Sequence, residues 1–409
     1  MLSKKKFVFL TILILIFTLL PNVCVATDSM FVWSNSAEAI TTSVEAEAKA
    51  TGNFLNLQSG SAILIEQNSG KVLYEHNSHE QLRPASVTKI MSILLIMEAL
   101  DSGSISLEDT VPCSENASNM GGSQIWLDPT EELTVDAMLK AICVVSANDC
   151  CVAMAEFLCG SQELFVEQMN KRAKELGMND TTFKNCHGID EDGHLTSSYD
   201  IAIMSKELMN NHPSITKYTT IWMDSLRDGK SELVNTNKLI RNYSGATGLK
   251  TGSTSIALYN LSATATRNDL SLIAVIMKAP TTATRFNEAK QLLDYGFSTY
   301  SYKKFANKND IVNSVIVEKG TASNVNVVFD SDVGNLVKKG QEKSISQNIN
   351  LKDVVIAPVY KGQKLGEVTF CVNNETIGVA DLVAENDVHK LNLWNMTTKL
   401  YKEWFNLCN

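Results

Sequence analysis

Proline is scarce in this chain, 7 residues in 409, and aromatic residues make up only 7%. Glycine is unremarkable at 21 residues. These shortages exclude a collagen-like or Pro-Gly-rich disordered chain, and 44% hydrophobic with 20% charged residues describes an ordinary globular protein. Positive charge is also short: 36 Lys and Arg stand against 45 Asp and Glu, a formal net charge of −9. That balance argues against a nucleic-acid partner. No C-x-x-C pair occurs among the 9 cysteines, which argues against a structural zinc site. The H-E-x-x-H pattern of metallopeptidases begins at His79-Glu80 but meets Arg83 where the second histidine belongs. No metal and no cofactor are expected.

Long hydrophobic runs are missing as well. The apolar stretch from Phe7 to Leu20 is short for a membrane span. It follows Lys4, Lys5 and Lys6 and precedes Val23-Cys24-Val25-Ala26, so it reads as an export signal, residues 1–26, cleaved after Ala26. A retained anchor is the alternative. Cleavage removes three lysines and no acid, which takes the formal charge from −9 to −12. The remaining cysteines are Cys113, Cys143, Cys150, Cys151, Cys159, Cys186, Cys371 and Cys408. An exported chain permits disulfides among them without requiring any. Four crowd into residues 143–159, where buried free thiols are the commoner state.

Residues 27–57, rich in Ser, Thr, Ala and Glu, read as a solvated linker. Ser61 to Gln67 and Lys71 to His76 alternate as strands around the turn signal Asn68-Ser69-Gly70. Ser86 to Leu100 is apolar nearly all round, which predicts a buried helix. Helical patterns follow at 134–158, 162–176 and 198–210, with Thr134 as an N-cap. Strands are predicted at 248–253, 259–267 and 270–278, then a helix at 286–295. Together these make an α/β or α+β domain over 58–305. Short β-branched runs at 311–317, 325–329, 354–360 and 367–372 predict a small all-β domain over 306–389. In the tail, 390–409, Leu391, Trp394, Tyr401, Trp404, Phe405 and Cys408 share one helical stripe. Such a helix either rests on a membrane surface, the favoured reading, or packs on its own β domain.

Three short motifs carry chemistry: Ser86-Val-Thr-Lys89, Ser146-Ala-Asn148 and Lys250-Thr251-Gly252. Singly the first two are weak, since S-x-x-K recurs at Ser3, Ser214 and Ser301, and S-x-N at Ser114 and Ser346. Context distinguishes Ser86, which follows Pro84-Ala85 and opens a buried helix with Lys89 one turn on. A serine hydroxyl is a poor nucleophile until a nearby base takes its proton, and an amine does so only when neutral. Burial and a second cation, for which Lys250 is the candidate, would depress the Lys89 pKa. A lysine on an otherwise apolar buried helix needs such a reason.

The ordered set S-x-x-K, S-x-N, K-T-G resembles the penicillin-recognising serine enzymes. Within them the chain is similar to the low-molecular-mass penicillin-binding proteins that are D-alanyl-D-alanine carboxypeptidases. The likeness is carried by Pro84-Ala-Ser86-Val-Thr-Lys89-Ile-Met, Gly122-Ser-Gln-Ile-Trp126, Val145-Ser-Ala-Asn148-Asp, Gly248-Leu-Lys250-Thr-Gly252-Ser-Thr254 and Arg285-Phe-Asn-Glu-Ala289. It implies the serine β-lactamase/DD-peptidase fold, an antiparallel sheet with a helical block, plus the β domain. It further implies that Ser86 attacks the carbonyl between the two terminal D-alanines of a peptidoglycan stem peptide, with Lys89 as base and Ser146 relaying a proton to the leaving amine. Asn148 would hold the acyl chain's amide, the backbone N–H groups of Ser86 and Ser253 the oxyanion, and Lys250, Thr251 and Arg285 the free carboxylate, while Gly252 allows close approach. β-Lactams would be covalent inhibitors, and the enzyme would work outside the cytoplasm.

Two positions depart from the family pattern: Ala147 where Gly is frequent, and Ser253 where some members carry His. The region that would hold the deacylating glutamate of a class A β-lactamase reads Asn185-Cys-His-Gly-Ile-Asp190, so fast β-lactam hydrolysis is disfavoured. His187, Asp190, Asp192 and His194 read as a polar turn rather than a metal site, because Gly188 and Gly193 interrupt them. A non-catalytic wall-binding or β-lactam-sensing protein is the rival from outside enzymology.

Overall fold

A computed structural model describes residues 54–392 and, of the C-terminal segment, residues 394, 396–398, 400, 401 and 404. The expected export signal and residues 27–53 of the expected linker lie outside the described residues. The last four residues assigned to that linker belong to the fold. Leu57 is buried, and the Phe54 ring meets Tyr74 and Tyr295 edge-on at centroid distances of 5.3 and 5.2 Å.

Five antiparallel strands form the central sheet: β1 (Ser61–Glu66), β2 (Val72–His76), β3 (Ala246–Thr254), β4 (Leu258–Arg267) and β5 (Leu270–Ala279), in the order β2-β1-β5-β4-β3. The β1–β2 turn is closed by the Glu66 carboxylate, which accepts N–H bonds from Asn68 (3.0 Å) and Ser69 (2.6 Å). At the β4–β5 turn Asn268 and Asp269 both take left-handed backbone, φ 48° and 64°, as a two-residue hairpin of native twist requires.

The sheet is covered on both faces, which is why β1 is buried at every position instead of alternating. Leu64, Leu261 and Leu272 meet helix α6 (Thr282–Thr299) through Leu292 and Leu293. Gly296 makes that contact close, since a Cβ there would stand 2.6 Å from Leu272 Cδ1. Ile63, Ile273 and Val275 face the helical block: α1 (Lys89–Asp101), α2 (Val135–Val144), α3 (Asn148–Cys159), α4 (Gln162–Glu175) and α5 (Ser198–Asn211). Side-chain caps open several of these helices, among them Thr134 to Ala137 N–H (3.3 Å) and Ser161 to Leu164 N–H (3.3 Å).

Two differences from the sequence expectation bear on the site. Residues 85–88 form a separate 3-10 turn ahead of α1, so Ser86 lies inside that turn rather than at the start of the α-helix. The single helix expected over 134–158 is two helices, broken at residues 145–147 where Ser146 takes φ 67°. Periodicity is blind to such a break because the apolar pattern continues through it.

The C-terminal part is all-β. Strand β6 (Tyr300–Ala306) follows α6 directly and pairs with β9 (Val333–Lys338), so it belongs with this part although it precedes the expected boundary at 305/306. A six-stranded sheet adds β7 (Ile311–Glu318), β8 (Asn324–Phe329), β10 (Ile345–Leu351), β11 (Val354–Ile356), β12 (Lys364–Val372) and β13 (Glu375–Ala384), ordered β10-β12-β13-β8-β7-β11. Val327, Leu365, Val368 and Leu382 fill its core. The seven described cysteines are free thiols, Cys143, Cys150, Cys151 and Cys186 among them buried. No helix among the described residues is long and apolar enough to cross a membrane.

The buried Glu288 of α6 pins the chain's entry to the fold, accepting from the Gln58 N–H (2.6 Å), the Ser59 N–H (3.3 Å) and Ser59 Oγ (2.5 Å). Glu288→Ala strands those donors, so chemical denaturation should show a loss of about 1–3 kcal/mol. Unchanged stability would mean that these three hydrogen bonds make no net contribution to the fold.

Candidate active site

The 3-10 turn that carries Ser86 is held from three sides. Asn260 of β4, fully buried, donates through Nδ2 to the carbonyls of Arg83 and Pro84, both at 2.9 Å, and accepts Lys278 N–H at 2.8 Å. Strand β3 passes so close at Gly252 that a Cβ there would lie 2.8 Å from Val87 N and 2.9 Å from Ser86 N and Pro84 O. Behind the turn, Gly188 with φ 90° leaves no room for any side chain against Ala85 O. Ala85 itself takes φ 50°, a left-handed conformation that costs an alanine energy and persists only under such restraint.

Lys89 begins α1 and is completely buried. Its Nζ donates to Asn148 Oδ1 (2.6 Å), His187 O (2.6 Å) and Ser86 Oγ (3.2 Å). Three acceptors match the three N–H bonds of an ammonium group. Burial nevertheless dominates and brings the pKa down from 10.5 to about 8, against the raising influence of Cys151, Cys186 and Asp149. Once deprotonated, the amine can keep two N–H bonds, to Asn148 and His187, and turn its lone pair to Ser86 Oγ.

Lys250 on β3 is also buried, and its Nζ donates to Thr251 O at 3.0 Å. Burial first, then the nearby Lys89 charge, holds it well below the usual lysine range. Ser146, in the α2–α3 break, has a buried hydroxyl with no hydrogen-bond partner among the described residues. Ala147 takes φ −56°, so its methyl group requires no special backbone. Asn148 is fixed by Nδ2 on Gly121 O (2.7 Å) and by its own N–H on Ser123 O (2.7 Å).

Thr251 Oγ1 donates to Thr236 Oγ1 at 2.7 Å, and the Thr236 N–H reaches Val144 O at 3.1 Å, joining β3 to the end of α2. Arg285, in the first turn of α6, donates through Nη1 to the carbonyls of Gly252 and Asn260, both at 3.2 Å. It bonds the strand's backbone rather than the Thr251 or Lys250 side chains, and its buried Nε has no partner among the described residues. Ser253, the next residue of β3, is exposed. The structure thus brings Ser86, Lys89, Asn148 and the strand Lys250–Gly252 together around the turn. Arg285 reaches them through the carbonyl of Gly252.

Sequence reading missed Asn260, Thr236, Asp149 and the carbonyl of His187. The segment 185–194 does fold as a turn, and its ring nitrogens serve that fold. Ile189 N–H donates to His187 Nδ1 (3.2 Å), Lys184 N–H to His194 Nδ1 (3.0 Å), and His194 Nε2 bonds Thr88 Oγ1 (2.8 Å). Burial lowers these imidazoles to about 3 and about 4, so both are neutral at physiological pH. The glycine at 188 was the available signal.

This arrangement has known counterparts. The family model described as D-alanyl-D-alanine carboxypeptidase matches residues 44–281, and that of the penicillin-binding protein 5 C-terminal domain matches 300–390. The chain belongs to the D-alanyl-D-alanine carboxypeptidase family. It is 45% identical over 348 residues to D-alanyl-D-alanine carboxypeptidase DacF of Bacillus subtilis, covering 84% of this chain and 89% of the relative. Penicillin-binding protein 5 from Haemophilus influenzae superposes with a TM-score of 0.72 at 30% identity, over 82% of this chain and 98% of that one. Penicillin-binding protein D2 from Listeria monocytogenes, solved with ampicillin bound, matches 59% of this chain and 99% of its own length, at TM-score 0.55 and 29% identity. Both the mixed α/β part and the β domain are thus those of low-molecular-mass penicillin-binding proteins.

The contact at Gly252 gives a direct test. Gly252→Ala puts a methyl group against three backbone atoms of the Ser86 turn, so the strand and the turn must separate. In this carboxypeptidase family the acylation rate by benzylpenicillin should fall on the order of a hundredfold. An unchanged rate would show that the close approach has no role in the chemistry.

Proposed function

We propose that this chain is a serine-type D-Ala-D-Ala carboxypeptidase that removes the terminal D-alanine from peptidoglycan stem pentapeptides. The observation that carries the reading is the wholly buried Lys89 amine, 3.2 Å from Ser86 Oγ and with a pKa brought down to about 8. A binding protein has no use for so costly an arrangement. Ser86 Oγ attacks the carbonyl of the penultimate D-alanine while Lys89 takes its proton. The tetrahedral intermediate's negative oxygen meets the N–H groups of Ser86 and Ser253. Ser146 passes a proton to the departing amine, D-alanine leaves, and water hydrolyses the acyl ester to regenerate Ser86.

Substrate orientation follows from charge. Arg285 gives one side of the site a positive potential suited to a free C-terminal carboxylate, with Lys250 as N–H donor and Thr251 as hydroxyl donor beside it. The Arg285 N–H that has no partner among the described residues supports this placement. Asn148, on the other side, holds the acyl chain's amide. A β-lactam places its own amide and carboxylate in the same two positions and presents its ring carbonyl to Ser86 Oγ. Attack breaks the ring C–N bond and leaves a covalent acyl-enzyme whose amine leaving group stays tethered, which makes the β-lactam an inhibitor. No metal or cofactor enters any step.

We further propose that residues 1–26 direct export and are removed, that 27–53 form a linker, and that the catalytic and β domains meet near residue 300. In the tail, Trp394, Met396, Leu400, Tyr401 and Trp404 are exposed, which supports peripheral attachment to the outer face of the cytoplasmic membrane.

Intact-mass analysis after benzylpenicillin treatment, paired with D-alanine release from a pentapeptide ending in D-Ala-D-Ala, tests the proposal. Wild type should carry one adduct and release D-alanine, and Ser86→Ala should do neither. An adduct without release would move the protein toward a transpeptidase or a sensor. Neither signal from folded wild type would overturn the active-site reading.

A further inference from the structure

Trp126 is the most exposed large hydrophobic residue among residues 54–392, with 77% of its surface open to solvent, and its backbone is left-handed at φ 56°. A bulky residue rarely adopts that conformation, and nothing in packing rewards it here. The surroundings enforce it. Asp149, the buried neighbour of Asn148, accepts from both flanking N–H groups, Ile125 at 3.0 Å and Leu127 at 3.1 Å, through a single oxygen. Arg227 grips the same segment from its carbonyl side, donating to Ile125 O (2.9 Å) and Trp126 O (3.4 Å). Glu131 in turn locks Arg227 with two bonds of 2.6 and 2.7 Å. Ile125 and Leu127 are drawn into the core, and the residue between them is forced outward.

The indole is also oriented. With the Gln124 amide donating to Met120 O (2.7 Å), its oxygen accepts from the Trp126 indole N–H at 3.2 Å. The ring is therefore tied back toward the 120–124 segment. That segment contacts Asn148 directly, through Gly121 O and Ser123 O. An exposed, strained and rigidly held aromatic beside the group assigned to the acyl chain marks a binding surface rather than a folding device.

We infer that Trp126 is a specificity-determining residue, whose indole packs against the side chain of the diamino acid preceding the D-Ala-D-Ala pair. The geometry selects that part of the substrate. The carboxylate end lies toward Lys250 and Arg285, so the residue upstream of the scissile bond runs along the Asn148 side. The methylenes of a diamino acid suit the indole face, and its terminal ammonium adds attraction to the ring. The inference rests on the carboxypeptidase reading above.

The test compares Nα-acetyl-L-Lys-D-Ala-D-Ala with Nα-acetyl-L-Ala-D-Ala-D-Ala on wild type, Trp126→Ala and Trp126→Phe, with benzylpenicillin adduct formation measured in parallel. Trp126→Ala should lose roughly tenfold in kcat/KM on the lysyl peptide, mainly through KM, and far less on the alanyl peptide. Trp126→Phe should recover most of the loss. Equal losses on both peptides, or no loss on the lysyl peptide, would overturn the inference while leaving the penicillin adduct intact. Absence of both the adduct and peptide turnover in wild type would instead bring down the carboxypeptidase reading, and this inference with it.

Discussion

Two lysine amines, Lys89 and Lys250, lie wholly inside the protein with few countercharges, and the site is organised around making that burial tolerable. Lowering the Lys89 pKa from 10.5 to about 8 corresponds to roughly 3 kcal/mol of bias against its charged form. Because the folded pKa lies below the unfolded one, this cost is fully present below about pH 8 and disappears as pH rises toward 10.5. Each nearby polar group moderates it: the Asn148 amide oxygen, the His187 carbonyl, and the Ser86 hydroxyl. These are the groups that also hold the amine in place once it is neutral. The same desolvation that costs stability makes the amine able to act as a base.

Three strained residues flank the same centre. Ala85, Ser146 and Trp126 all take left-handed conformations that side chains disfavour, with φ of 50°, 67° and 56°. Each is over-determined by its surroundings. Gly188 and Gly252 crowd the Ala85–Ser86 turn, the end of α2 and the start of α3 bracket Ser146, and Asp149 with Arg227 fixes Trp126. Rigid elements therefore hold three short, otherwise unfavourable pieces of chain around the Lys89–Asn148 pair and its neighbour Asp149. The sheet supplies the fixed wall through Asn260 and Gly252, and the helical block supplies the rest.

Much of this was legible in the sequence, though unevenly. The buried run after Ser86 and the Asn68-Ser69-Gly70 turn have direct physical signatures, and the structure contains the corresponding elements. Lys89 was legible as an anomaly, a charge on an otherwise apolar helix. The break at Ser146 was not, because a left-handed residue that is not glycine leaves no mark on hydrophobic period. Asn260 and Asp149 were silent for another reason: their partners lie 177 and 24 residues away, and single-chain patterns do not encode such pairings. In the β domain four strands, β6, β9, β10 and β13, went unread. The 354–360 run proved shorter than expected, since strand β11 ends at Ile356, just before the Ala357-Pro358 step.

The central claim is that the Lys89 amine loses its proton within reach of physiological pH. Carbon-detected NMR titration of protein labelled at the lysine ε-carbons measures this directly, with Lys89→Met identifying the signal. A midpoint near 8 for that resonance is the expected result. A midpoint at or above the ordinary lysine value, about 10.4, would contradict the account and leave Ser86 without its base.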